Sequence, residues 1–380
     1  MRRLLILLLP VLLLGGCSLF DTDNSEPPAK LVEFKPSLRV AQPWSYDTGV
    51  GVGDDWIRLY PWRDGDAIYT VDSEGHVLAL DLRKGKVLWE RYLELPVTGG
   101  INGGEGVLVF GTGKGEVVAL REKDGALLWK APVSSEVMAV SRVALGTVVA
   151  RTNDGNLHGI DIGTGSVRWQ AGRRTPPLSL RGASVPLVTH GGVIAGFDNG
   201  KLVALSLNDG RAAWETTIAV PRGRSELERM VDIDGQFVEY EGVVYVATYQ
   251  GRLAAVNLAD GRVLWSRKMS SFMGLTVDGD QVYATDAWST VWAVDRRTGA
   301  TLWKQPALRL RTATAPAVVD RWVVVGDYEG YLHWMDKFDG HFVARVRSDP
   351  DGIRVPPLEA EGFLLSLGNG GELIVWKIVD

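Results

Sequence analysis

One phrase recurs along this chain and constrains what it can fold into. It runs Ala79, Asp81, Gly85, Trp89, and returns as Ala119, Gly125, Trp129 and as Gly159, Asp161, Gly165, Trp169. Three more copies follow: Ala204, Gly210, Trp214; Ala255, Asn257, Gly261, Trp265; and Ala293, Asp295, Gly299, Trp303. A seventh keeps Asp336 and Gly340 but has Ala344 where the indole should fall. Successive glycines are 40, 40, 45, 51, 38 and 41 residues apart. A unit of this size cannot bury a core alone, so the copies must stack on one another.

Each unit also has an internal order. An apolar run such as residues 107–110 meets a tight turn, then an alternating segment such as 116–120, which is the pattern of a β-hairpin. The turn residues are Gly75, Gly115, Gly155, Gly200, Gly251, Gly330 and Gly371, with Ser289 in the sixth copy. These are eight turns, yet only seven are followed by the strand that normally carries the Trp. After Gly371 the chain runs to Asp380 and stops before an eighth such strand. Residues 38–46, a β-type run containing Trp44, can supply it. The sequence therefore predicts an all-β chain: an eight-bladed β-propeller of four-stranded antiparallel blades, a single domain over 38–380, with the ring closed by the N-terminal strand. Closure removes the sheet edge that an open ring would expose.

The recurring Trp needs no ligand. An indole buries roughly 150–250 Å², about 4–6 kcal/mol gross at ~25 cal/mol per Å², and thin blades have little else to join them. Trp288, Trp292, Trp322, Trp334 and Trp376 read the same way, as strand packing residues. The 45 glycines suit many hairpins rather than helices. Formal charge is 41 − 46 = −5, or −7 once Arg2 and Arg3 leave with a leader, which is no footprint for nucleic acid. The single cysteine excludes an internal disulfide and a Cys-rich metal site.

That cysteine has another reading. Arg2 and Arg3 precede an apolar run, residues 4–14, too short for a membrane-spanning helix, so 1–16 reads as a signal peptide. The sequence Leu-Gly-Gly-Cys ending at Cys17 looks like a bacterial lipobox, which makes Cys17 the expected lipidation site. Ser18 follows, rather than the Asp that often retains lipoproteins in the inner membrane, so the expected location is the periplasmic face of the outer membrane. Residues 17–37 then read as a lipidated cysteine and a flexible, Pro-bearing tether.

Two crossings between repeats are enlarged. The turn spacing grows by 5 residues across the segment holding Leu178, Leu180 and Arg181, and by 11 across the one holding Arg224, Asp232 and Asp234. Both join an outer strand to the next inner strand, so topology places them on one face as neighbours. Leu178 and Leu180 exposed among Arg181, Arg224, Asp232 and Asp234 would form a mixed apolar and charged patch suited to a partner.

Signs of catalysis are weak. The histidines at 76, 158, 190, 333 and 341 lack metal-helix spacing. Residues 111–115 lack the full phosphate-loop spacing and a following helix. Asp232 to Gly235 resembles a calcium loop without its third ligand or its closing Glu. No Gly-x-Ser-x-Gly elbow occurs, and Asp54 with Asp55 would point to opposite faces of a strand.

The repeat resembles that of pyrroloquinoline-quinone-type propellers over nearly all of the mature chain, a motif shared by enzymes and non-enzymes. Taken with the lipobox and the segments 177–182 and 229–234, the chain is similar to the propeller lipoproteins of the machinery that inserts β-barrels into the outer membrane. That resemblance implies a non-catalytic scaffold without a cofactor. It implies that the periplasmic POTRA domains of BamA are the partner, within the BAM complex, with unfolded outer-membrane proteins as further candidates. Carried over residue by residue, it assigns the BamA contact to Leu178, Leu180, Arg181, Asp232 and Asp234. Ala344 departs from the repeat and leaves the docking of its blade in question. Two other readings remain open: a quinoprotein dehydrogenase, disfavoured because Cys17 has no vicinal partner, and a propeller that binds a small ligand in its channel.

Overall fold

The computed structural model describes residues 26–53, 56–173, 175–182, 184–189 and 191–379. The signal peptide, Cys17, Asp54, Asp55 and His190 lie outside the described residues. The described residues form eight four-stranded antiparallel sheets. Blade 1 comprises Trp62–Asp64, Ala67–Val71, His76–Asp81 and Val87–Tyr92, from the axis outward. Blades 2 to 7 repeat this order, ending in outer strands Leu127–Pro132, Val167–Gly172, Ala212–Thr217, Val263–Lys268, Thr301–Gln305 and Phe342–Arg347. Blade 8 has Leu358–Ala360, Phe363–Leu367 and Glu372–Val379 from the C-terminus, completed by Arg39–Asp47. Arg39 pairs with Val379, Trp44 with Val375 and Asp47 with Glu372, which is the closure expected.

Burial explains the strand sequences. Val77, Leu78, Ala79 and Leu80 are all fully buried, as are Val117 to Leu120, because both faces of a middle strand meet neighbouring blades. Such strands carry continuous apolar runs, and the alternation expected at 116–120 gives way to this. The outer strands are mostly exposed, with the repeat Trp turned inward against its neighbours.

One contact recurs from blade to blade. Trp89 donates its indole N–H to the Glu122 carbonyl at 2.9 Å, in the turn of blade 2 that precedes the next outer strand. Its ring lies over Gly125, where an added Cβ would sit 2.6 Å from the ring and where φ is +67°. Both facts require glycine. The bond recurs from Trp129 to Ile162, Trp169 to Leu207, Trp214 to Leu258, Trp265 to Arg296 and Trp303 to Lys337, at 2.7–2.9 Å. Trp44 makes it too, to the Leu82 carbonyl at 2.9 Å, so blade 8 docks on blade 1. A β-bulge beside the small residue opposite each Trp in blades 1 to 6, as between Ala79 and Leu80, twists the outer strand locally.

Ala344 marks the one seam without this contact, and the reason is topological. An indole there would need a turn in blade 8 between its third and outer strands, but those strands are the two ends of the chain. In blade 7 the usual pair is inverted, with Trp334 on the third strand opposite Ala344 on the outer one. Trp334 is fully buried, in a cluster with Ala344, Ile353, Leu364 and Trp376. The departure is an exchange of large and small residues across one strand pair.

The N-terminal segment adds to this seam. Residues 26–38 are not a free tether: Ser37 and Leu38 donate backbone N–H groups to the Val343 carbonyl at 2.9 and 3.1 Å. Phe34 stacks on Phe342 at 5.6 Å, and Arg345 lies over Phe34 and bonds the Val32 carbonyl at 3.0 Å. Farther up, Ala29 donates to the Arg309 carbonyl at 2.9 Å, and Glu26 pairs with Arg309 at 2.6 Å. The sequence reading missed this strap because its composition is that of a linker.

If these indoles join the blades, Trp129→Ala should lower unfolding stability by about 3–5 kcal/mol. Trp129→Phe should lose less, since it keeps most of the ring and forfeits mainly one hydrogen bond worth about 1 kcal/mol. Thermal or denaturant unfolding monitored by circular dichroism measures both.

Candidate partner-binding surface

The enlarged crossings are residues 173–186, between blades 3 and 4, and 218–237, between blades 4 and 5. Both leave the ends of outer strands, and they touch: a Cβ on Gly182 would lie 3.3 Å from the Asp234 carboxyl carbon. The second crossing contains Leu227–Arg229, a 3-10 turn whose Glu228 carboxylate accepts from the Arg224 N–H at 2.6 Å. The segment is tied down where the Leu227 carbonyl accepts from the Gln250 amide at 2.9 Å.

The expected site residues fall in two layers. Leu178 is 43% exposed, and Leu180 is half-buried. Arg181 reaches solvent while pairing with Glu136 at 3.0 Å. Arg224 is exposed on the neighbouring crossing. Asp232 and Asp234, expected on the surface, are instead buried at 0% and 2% exposure. Neither carboxyl has a side-chain hydrogen-bond partner among the described residues, while the backbone N–H groups of Asp232 and Leu180 lie close to the Asp232 carboxyl. Burial, then Asp234 and Asp198, pushes the Asp232 carboxyl up to about 8. Burial and Asp198, opposed by Arg151 and Arg58, bring Asp234 to about 7.

The backbone of these two residues fixes the floor beneath the Leu180 loop. The Asp232 carbonyl accepts from the Tyr249 N–H at 2.9 Å, and the Asp234 carbonyl from Arg58 at 3.3 Å. Arg58 also bonds the Phe272 carbonyl at 3.1 Å, which ties the crossing before blade 1 to the crossings on either side of blade 5, across the axis. Arg151, buried, pairs with Asp198 and bonds Ser184 at 3.4 Å, so blade 3 braces the end of the first crossing. Sequence reasoning missed Arg58, Arg151, Asp198 and Glu136. Arg58 comes from the far side of the ring, which only closure brings in, whereas Glu136, Arg151 and Asp198 lie at the adjoining blades 3 and 4, where contact with the crossings depends on strand register.

Trp288 also departs from expectation. It lies in a turn between Gln281–Thr285 and Val291–Asp295 and is 53% exposed, whereas Trp334 and Trp376 are buried strand residues as expected. The axial channel holds a cavity of about 670 Å³ lined by Tyr60, Trp62, Gln236, Pro316 and Pro357 among others.

Fold and site together define a closed eight-bladed β-propeller with an enlarged pair of neighbouring loops on one face. The chain belongs to the BamB family of outer membrane protein assembly factors. The family model for Outer membrane protein assembly factor BamB matches residues 73–305. The protein of that name from Pseudomonas aeruginosa is 46% identical, covering 96% of this chain and 95% of the relative. The one from Escherichia coli is 34% identical over 98% of each chain. The crystal structure of BamB from Moraxella catarrhalis matches with a TM-score of 0.81 at 26% identity, covering 89% of this chain and all of the other. A quinohemoprotein alcohol dehydrogenase from Comamonas testosteroni shares the fold alone, with a TM-score of 0.70 at 12% identity, covering 89% of this chain and 76% of that one.

The buried carboxyls set a pH dependence. Unfolded, each Asp titrates near its ordinary value of 3.8; folded, each holds its proton to about 8 and about 7. Between these limits the native state binds more protons than the unfolded one, so stability falls as pH rises from 4 to 8. The Asp232→Asn/Asp234→Asn double variant should match the parent most nearly at pH 4 and gain on it as pH rises toward 8, the gap widening by at most about 1.4 kcal/mol per pH unit for each carboxyl. Unfolding midpoints across that range measure it.

Proposed function

We propose that this chain is a non-catalytic scaffold of the β-barrel assembly machinery, held by a lipid on Cys17 at the periplasmic face of the outer membrane. Its two enlarged crossings bind the periplasmic POTRA domains of BamA and so support the folding and insertion of outer-membrane β-barrels. The observation that carries this reading is the contact between the crossings, which turns two separate loops into one surface with Leu178 and Arg181 outward. Full-length similarity to proteins named outer membrane protein assembly factors supports the machinery. No helix among the described residues is long and apolar enough to cross a membrane, so association through an attached lipid fits the chain.

Within the site the roles divide by burial. Leu178 offers an apolar side chain to a pocket, and Arg181 a guanidinium that can leave Glu136 for a partner carboxylate. Asp232 and Asp234 act from below, as positioning residues for the loop that covers them. Leu180, half-buried, couples the layers.

Arg181→Glu should reduce copurification of BamA roughly tenfold or more, the effect of losing about 1.4 kcal/mol or more at a central contact. Leu178→Ala should weaken it in the same direction with the fold intact by circular dichroism. Undiminished BamA recovery with both variants would remove these crossings as the docking site.

A further inference from the structure

Three aromatic side chains on the crossing face lack the cover that strands give the others. Trp288 is 53% exposed, Trp56 49% and Tyr328 41%. All three lie outside strands: Trp288 and Tyr328 in turns of blades 6 and 7, Trp56 in the segment that enters blade 1. Each ring carries a guanidinium on its face, with Arg309 at 4.9 Å from Trp288, Arg311 at 5.1 Å from Tyr328 and Arg354 at 4.2 Å from Trp56. A groove of about 330 Å³ runs between them, lined by Pro28, Trp56, Leu310, Tyr328 and Arg354. Leu310 donates its N–H to the Trp288 carbonyl at 3.0 Å, which places Trp288 at the border of the groove.

The strap reaches this same patch. Glu26 is held by Arg309 through bonds of 3.0 and 2.6 Å, and the Ala29 carbonyl by Arg311 at 3.0 Å. Nine residues separate Glu26 from Cys17 (26 − 17), a length that spans at most about 30 Å when fully extended. On the reading that Cys17 carries the lipid, this patch is therefore kept close to the bilayer surface, whatever path those residues take.

We infer that the crossing face of blades 6 to 8, with Trp56, Tyr328 and Trp288 at its centre, is a membrane-contacting surface that seats on phospholipid headgroups beside the lipid anchor. This rests on the anchor proposed above and adds a second point of attachment. The chemistry matches the interfacial layer. Indole and phenol rings place an apolar body among the ester groups and a polar edge in water, while a guanidinium over the ring can pair with a phosphate. Arg309 and Arg311 already have acidic partners in Glu26, Asp327 and Glu329, so the patch is not strongly cationic. Its seating is accordingly aromatic in origin and only weakly salt-dependent. Two points of attachment fix an orientation, with the crossing face toward the membrane.

Cys17 is the one cysteine of the chain and is consumed by the lipid, so Trp288→Cys creates a single reactive thiol in the mature lipoprotein. Phe338→Cys, at a position 65% exposed in the turn on the opposite face, is the control. Each is labelled with an environment-sensitive fluorophore and reconstituted into vesicles of phosphatidylethanolamine and phosphatidylglycerol, some brominated near the headgroup. The expected result is a blue-shifted emission at position 288 that brominated lipid quenches several-fold more than at 338, little changed by salt. Equal, weak quenching at both positions on protein that floats with the vesicles would overturn the contact and leave the anchor standing. Loss of flotation would overturn the anchor, and the contact with it. Shielding of position 288 only after the periplasmic part of BamA is added would mark the patch as a protein-docking surface and also overturn the proposal.

Discussion

The whole ring depends on an indole laid over a glycine. Each outer-strand Trp reaches across a seam, gives its N–H to a turn carbonyl of the next blade and covers a backbone position where a side chain cannot fit. The contact joins burial of a large apolar surface to a satisfied polar group, which is the condition under which Trp is stabilising in a core. Seven such contacts make a circle with one seam left over, and that seam falls where the two chain ends share a blade. There the docking turn cannot exist, and Trp334, Ala344 and the strap from residue 26 take its place.

Function follows from what this scheme leaves unconstrained. The docking turns occupy one face of the ring, and the crossings from outer to inner strand occupy the other. Crossings can therefore lengthen without disturbing a single Trp contact; the longest, residues 218–237, lies beside 173–186, and residues 48–61 between blades 8 and 1 match the latter in length. Their packing buries the Asp232 and Asp234 carboxyls beneath the Leu180 loop, where burial makes both hold their protons to higher pH than in the unfolded chain.

The fold was legible because its signal is repeated. Eight turns against seven outer strands implied the closure by residues 38–46, and the pairing of Trp44 with Val375 agrees. The enlarged crossings were visible as arithmetic, and so was their shared face. Other features were hidden for physical reasons. Depth cannot be read from charge, so Asp232 and Asp234 looked like surface residues although the loop above covers them. A Trp outside the repeat gives no periodic cue, so Trp288 was read as packing. Ala344 looked like a defect because its exchange with Trp334 is visible only once the strand register is known.

The central claim is that position 344 lacks its indole because blade 8 lacks a turn to receive it. A circular permutant that joins residue 379 to residue 39 through a repeat-type turn, with new ends at the open Gly106 hairpin, would supply that turn. In the permutant, Ala344→Trp combined with Trp334→Ala should raise the unfolding midpoint, and in the natural connectivity the same pair should lower it. An equal loss in both connectivities would contradict the account.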